Sequence, residues 1–292
     1  MILRFNTLER KWKRLKTQER FRRAPILTIV RLVSWRARCL FQKLAVVKLR
    51  RWKVKMFLPV KWEGIGRQIF AFREDYEPEL AYLERLLSPG KTFLDVGANL
   101  GIYTLVASRI VGEAGRVLAF EPSAQSFPLL RQNIALNGLR NVLALPVALS
   151  QKTGTAQLFC APDPSGNSFG KDPLFNGETE EVRTDTLDNV LRRAFVREVD
   201  VIKMDVQGAE ELVLRGASKL LCSMRPVIIF EVYPSGAALL KLSKNGAVDI
   251  LKSYGYSFVR IGKHDSVDHL GSAEEYFNVV AVPDRMEMRV AD

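Results

Sequence analysis

The chain has 292 residues, 47% hydrophobic and 26% charged, a globular composition with room for one or two domains and a large core. Its 3 cysteines have no C-x-x-C spacing, which argues against a zinc site or a disulfide framework and suits a reducing, cytoplasmic compartment, while 2 histidines (His264 and His269) argue against a His-rich metal centre. The net charge of +12 is uneven: residues 1–61 hold 19 of the 44 Lys/Arg but 2 of the 32 acids, so the remainder is net negative by 5 and lacks the charge of a nucleic-acid groove.

Residues 1–61 read as a basic, mainly helical amphipathic arm, and 62–292 as the catalytic domain. Ile26, Leu27, Ile29, Val30, Leu32 and Val33 make an apolar stripe flanked by Arg22, Arg23, Arg31, Arg36 and Arg38, with Trp12, Phe21, Trp35 and Trp52 nearby. Such a segment suits peripheral contact with an inner membrane surface or with a partner protein. Packing on the core with a solvated basic face, and phosphate contacts to nucleic acid, are the competing readings. No secretory apolar region is evident, and the apolar runs 24–30 and 44–47 fall far short of the roughly 20 residues that span a bilayer.

Residues 63–74, apolar among glycines, read as a short hairpin. Leucines at helical spacing predict a helix over 78–87, ended by Ser88-Pro89-Gly90. Residues 92–96 are a short apolar run, the pattern of a buried parallel strand, and residues 102–111 follow with helical spacing up to Gly112. Between them lies a glycine-rich strand-to-helix turn, where open α/β sheets bind nucleotides. The expectation is that Gly97 turns the chain and Gly101 lets backbone approach a ligand.

The spacing is Asp95-x-Gly97-x-x-x-Gly101, with Asn99 where a dinucleotide fingerprint needs its second glycine. A carboxylate in that turn would repel a pyrophosphate and favour a ligand carrying an amino group and a sulfonium. This points to S-adenosylmethionine. Glu121 closes the next strand, 116–120, where a carboxylate can accept bonds from ribose hydroxyls. Asp95, Gly97, Ala98, Asn99, Gly101, Tyr103, Glu121 and Ala148 are the expected cofactor residues, the last of them near adenine with Leu149.

Further on, a helix is expected over 126–137, a third strand over 141–149, a half-exposed strand over 155–160 and a short extended piece at 182–184. The loop 162–177, rich in Pro, Gly, Ser, Asn and Asp, is long enough to suggest a cover over a substrate. The fourth strand, 199–204, runs to Asp205, and a helix starts near Gly208 with Glu210 and Glu211 in its first turn. The fifth strand, 226–230, runs to Glu231. A mostly helical stretch over 235–252 precedes two last strands, 256–261 and 277–282. Seven strands with interleaved helices predict a Rossmann-like, doubly wound α/β sheet.

With histidine scarce, carboxylates at strand ends are the candidate general bases: Asp205, Glu231 and Glu210. Lys203 is a candidate to stabilise an alkoxide. Capping of a helix, pairing with an arginine, or holding a divalent metal are the competing roles for these acids.

The set Asp95-Val-Gly-Ala-Asn-Leu-Gly-Ile-Tyr103, Phe120-Glu-Pro122, Thr186-Leu-Asp188, Ile202-Lys-Met-Asp-Val-Gln-Gly-Ala-Glu210 and Phe230-Glu-Val232 resembles the FkbM family of S-adenosylmethionine-dependent methyltransferases. The resemblance covers roughly residues 77–283 and implies a seven-stranded Rossmann-like fold and methylation of hydroxyls on sugars, glycolipids or related small molecules. It departs at Gln207, where Glu is commoner in the family, so position 207 is given no catalytic role. An RNA 2′-O-methyltransferase and a non-catalytic, cofactor-binding adaptor carried by the basic arm are the alternatives. The absence of an Asn/Asp-Pro-Pro-Tyr/Phe motif after the fourth strand disfavours methylation of nucleobase amino groups.

Overall fold

The structure, a computed structural model, describes residues 19–260 and 277–284. Trp12, His264 and His269 lie outside them. The chain divides into two compact units, one ending at Leu80 and one beginning at Ala81. The division expected at residue 61 falls inside the first unit.

The first unit is more than a helical arm. Helices α1 (Glu19–Arg23) and α2 (Pro25–Phe41) are followed by an antiparallel hairpin of β1 (Leu44–Leu49) and β2 (Val54–Pro59). Ala45, Val47 and Leu49 face inward while Leu44 and Val46 face out, so the period of two is hidden by apolar residues on both faces. The hairpin expected at 63–74 is instead helix α3 (Ile65–Phe72). Gly66 is not a turn residue there: a Cβ at this position would press on the Pro59 carbonyl oxygen at 2.6 Å. Trp35, fully buried, packs against Phe70 in a tilted ring pair with centroids 5.0 Å apart and donates its indole N–H to the Lys61 carbonyl at 2.8 Å.

Helix α4 (Glu79–Leu86) leads into the second unit, whose frame is a seven-stranded sheet. In chain order its strands are β3 (Thr92–Val96), β4 (Arg116–Phe120), β5 (Val142–Leu145), β9 (Val201–Met204), β10 (Val227–Val232), β11 (Tyr256–Arg260) and β12 (Phe277–Pro283). Their spatial order is β11-β12-β10-β9-β3-β4-β5. Neighbours among β5, β4, β3, β9 and β10 are parallel, and β12 runs antiparallel between β10 and β11. The order reverses at β3, so the strand ends around β3, β4 and β9 open on the crevice where such sheets take ligands.

Alternation along the strands sets the two faces. Leu94, Val96, Leu118, Phe120, Ile202, Met204, Ile228 and Phe230 belong to one core cluster, shared with Val190, Val213, Leu221 and Leu251 from the covering helices. Asp95, Ala119 and Lys203 lie side by side on the opposite face. Helix α5 (Ile102–Val111) follows β3 and helix α6 (Phe127–Leu136) follows β4.

The expected third strand is broken. Pro146 has no N–H to give to a ladder, and Ala148–Leu149 leaves as β6. It joins β7 (Gly154–Phe159) and β8 (Thr179–Asp185) in a separate three-stranded sheet. Helix α7 (Leu187–Arg193) starts on Thr186, whose hydroxyl accepts the Asn189 N–H at 3.2 Å. Helices α8 (Glu210–Arg215) and α9 (Ser218–Ser223) separate β9 from β10. The expected 235–252 helix is two helices, α10 (Pro234–Leu239) and α11 (Gly246–Ser253).

Candidate active site

The site is built at the carboxyl ends of β3, β4, β9 and β10. Asp95 lies inside β3, beneath the turn rather than in it, with Ala119 and Lys203 as its neighbours across the sheet. Its carboxylate is buried and accepts the Thr104 hydroxyl at 2.5 Å. Burial pushes Asp95 up to about 6, against the opposing effects of the Thr104 hydroxyl and the Lys203 ammonium.

The turn above is held by backbone. The N–H groups of Gly97 and Ala98 both donate to the Phe120 carbonyl, at 3.0 and 2.9 Å. Asn99, with φ of 48°, sends its N–H to Glu121 Oε2 at 2.8 Å. Ser123 donates its N–H to Glu121 Oε1 at 2.9 Å. Burial pushes Glu121 up to about 7, although both backbone bonds oppose this. Each of its oxygens accepts one bond from the protein and keeps a second lone pair, so the carboxylate can still take a pair of hydroxyls.

Gly101, with a φ of 89°, starts α5, and a Cβ there would meet Leu130 at 2.5 Å, so its missing side chain also serves helix packing. Tyr103 is buried, its ring centroid 5.4 Å from Lys203 Nζ. Ala148 is buried in a small cluster with Leu158 and Val182.

The second half of the site is the turn after β9. Asp205 donates its backbone N–H to the Val96 carbonyl at 2.9 Å, and a Cβ on Gly97 (φ 82°) would collide with the Asp205 carbonyl oxygen. The two turns are therefore fitted backbone to backbone, and glycine is required at 97. Lys203 is buried, and its Nζ stands 4.0 Å from Asp205 Oδ2, whose side chain is 38% exposed. Met204, between them, faces the opposite core cluster.

Gln207 joins the two expected catalytic acids. Its Nε2 donates to Asp205 Oδ1 at 2.9 Å and to Glu231 Oε2 at 3.2 Å. An amide nitrogen has two hydrogens, one for each carboxylate. A glutamate at 207 would set a third carboxylate beside the pair instead. Among the described residues, no group of three or more His, Cys, Asp and Glu side chains is placed to hold a metal ion.

Glu210 stands in the first turn of α8, where its spacing from Asp205 set it. It is buried, and its Oε1 accepts the N–H groups of Val206 at 3.1 Å and Gly208 at 3.3 Å. Burial pushes it up to about 7. It fixes the turn that carries Asp205 and Gln207.

The long loop is tied to the same turn. Ser168 Oγ donates to the Gln207 carbonyl at 3.2 Å, and a Cβ on Gly170 would press on Leu239 of α10. Gly208 and Gly236 are equally close, so α10 also seats on this turn. Spacing could not reveal these contacts, because each joins segments far apart in sequence. The Thr186-Leu-Asp188 motif is structural: Asp188 accepts the N–H groups of Lys219 at 2.9 Å and Leu220 at 3.0 Å, holding the start of α9.

Residues 95–258 match the sequence profile of the methyltransferase FkbM domain. The chain belongs to the FkbM family of S-adenosylmethionine-dependent methyltransferases. It is 32% identical over 180 residues to methyltransferase sdnD of Sordaria araneosa, a match covering 51% of this chain and 69% of that protein. It is 28% identical over 135 residues to the hexuronic acid methyltransferase AglP of Haloferax volcanii, covering 46% of this chain and 53% of the relative. The crystal structure of methyltransferase FkbM from Methylobacillus flagellatus KT superposes with a TM-score of 0.42 at 14% identity, over 74% of this chain and 53% of that one.

The donor set fits the family's cofactor. Glu121 offers lone pairs to a ribose diol, whereas Asp95, buried beneath the turn, does not present to a ligand the carboxylate that the spacing predicts there. Among the described residues no helix is long and apolar enough to cross a membrane.

Proposed function

We propose that this FkbM methyltransferase transfers the methyl group to a hydroxyl of a sugar, a glycan or glycolipid, or a related small molecule. The observation that carries this reading is the Asp205–Gln207–Glu231 arrangement, two carboxylates at neighbouring strand ends held by one amide. Carboxylates in that setting accept hydrogen bonds from hydroxyls and can take up a proton. The name of the Haloferax relative, a hexuronic acid methyltransferase, supports an acceptor of the sugar-acid class. The free cysteines Cys39, Cys160 and Cys222 agree with action in a reducing compartment such as the cytoplasm.

S-adenosylmethionine supplies a methyl group already activated on a sulfonium. The chain's own part is to bind, orient and deprotonate. Asp95, Gly97, Ala98, Asn99, Gly101 and Tyr103 form the bed under the methionyl end, Glu121 takes the ribose, and Ala148 lies toward the adenine. Asp205 accepts the proton of the acceptor hydroxyl. Glu231 holds a second hydroxyl and so fixes the sugar's orientation. Lys203, buried beside Asp205, stabilises negative charge growing on the acceptor oxygen. Glu210 is a positioning residue in this scheme rather than a base.

The test is product analysis. Wild type is incubated with S-adenosylmethionine and a panel of hexuronic acids, their glycosides and lipid-linked glycans, and products are read by mass spectrometry and NMR. An O-methylated sugar whose formation is lost in Asp205→Asn, with cofactor affinity retained, is the expected outcome. Methyl transfer to RNA or to amino groups, with none to hydroxylated glycans, would overturn the reading.

A further inference from the structure

Helix α2 in the first unit has two apolar faces, and its own unit covers one of them. On the inner face, Thr28 and Trp35 are buried, and Arg31 donates to the Ala71 carbonyl at 3.0 Å. These contacts fix the helix's rotation. The outer face then shows Ile26, Ile29, Val30, Val33, Ala37 and Phe41 at three- and four-residue steps, one stripe along the helix. Ile26 is 79% exposed, Val30 58%, Val33 64% and Phe41 87%. The hairpin that follows repeats the arrangement, with Leu44 and Val46 exposed and Lys48 and Arg50 beyond them.

The charge around the stripe selects its occupant. Arg22, Arg23, Arg36 and Lys43 are exposed beside it, in a segment with 19 basic residues and 2 acids over positions 1–61. A second copy of this chain would bring two such basic faces together, which is unfavourable. Phosphates of a nucleic acid would meet the cations but leave the apolar stripe in water. A bilayer with anionic headgroups satisfies both, taking the stripe at the acyl boundary and the cations at the headgroups. At 17 residues the helix is shorter than the roughly 20 that span a bilayer, which suits lying in the interface plane.

We propose that the outward face of Pro25–Phe41 is a membrane-docking surface for anionic lipid, seated by Ile26, Val30, Val33 and Phe41 and drawn in by the flanking arginines. The surface lies wholly within the first unit and stands independently of the acceptor assigned above.

The experiment uses the full chain and sedimentation with vesicles of phosphatidylcholine alone or mixed with phosphatidylserine. Wild type co-sediments with the mixed vesicles, little with the neutral ones, and less as salt rises. The variant Val30→Asp with Val33→Asp loses about tenfold or more of that binding, whereas Val30→Leu with Val33→Leu keeps it. Both positions are exposed, so thermal unfolding of the two variants stays at the wild-type midpoint. Wild type remaining in the supernatant with mixed vesicles overturns the proposal, as does the aspartate variant binding as well as wild type. A wild-type dimer in sedimentation equilibrium that the aspartate variant dissolves would give the face to a second copy, and also overturns it.

Discussion

The two ends of the site are built differently. At the cofactor end, Asp95 and Glu121 are buried and held by a neighbouring hydroxyl and by backbone N–H groups, within one strand-turn-helix and the strand beside it. At the acceptor end, Asp205 and Glu231 are partly exposed and joined through the side chain of Gln207. Backbone donors stay wherever the fold is kept, while a side-chain bridge changes with one substitution. On the function proposed above, the first construction would fix one ligand and the second would leave room for different acceptors on the same frame.

The largest effect separates the ends outright. Asp205→Asn should lower kcat by about 10²–10⁴-fold, the usual contribution of a general base, while calorimetry shows cofactor affinity little changed. A parallel loss of cofactor binding would mean the ends are not separable. Gly97→Ala should break both ends together, because its Cβ meets the Asp205 carbonyl at a positive φ, and a loss of about 2–4 kcal/mol in denaturant unfolding is expected. Glu121→Ala should weaken cofactor binding by about 10–100-fold, the scale of lost charged hydrogen bonds, with acceptor KM nearly unaltered. Gln207→Leu should cost about tenfold in kcat/KM, since two neighbouring carboxylates lose their shared donor.

The smallest effect concerns stability. Glu210 is raised from 4.5 to about 7 by burial, so the folded state binds its proton more tightly than the unfolded state. That contribution favours folding at low pH and fades as pH climbs from about 4.5 toward 7, the reverse of an ion-paired acid. Glu210→Gln, which keeps an acceptor for the Val206 and Gly208 N–H groups, should flatten stability over this window, seen as a smaller fall in Tm between pH 5 and pH 8 than in wild type.

Much of the frame was legible in the sequence because buried parallel strands are short apolar runs, and here Glu121 and Asp205 directly follow two of them while Asp95 and Glu231 are the last residue but one of two others. The seven-stranded sheet followed from that. What escaped was of two physical kinds. Apolar residues on both faces of Leu44–Leu49 blurred the period of two, and Gly64 and Gly66 looked like turn residues although Gly66 answers a tight contact with Pro59. The role of Gln207 escaped because it exists only after Asp205 and Glu231 meet, 26 positions apart in the chain. The same holds for Ser168, which reaches Gln207 across the fold.

That last contact has a practical consequence for exchange between enzymes. The 162–177 loop, the 205–208 turn and α10 are pinned to one another through Ser168, Gln207 and the facing glycines 208 and 236. They behave as a cassette. A graft that swaps the loop alone would carry a latch without its keeper, so acceptor preference should travel between relatives only when all three pieces are transplanted together.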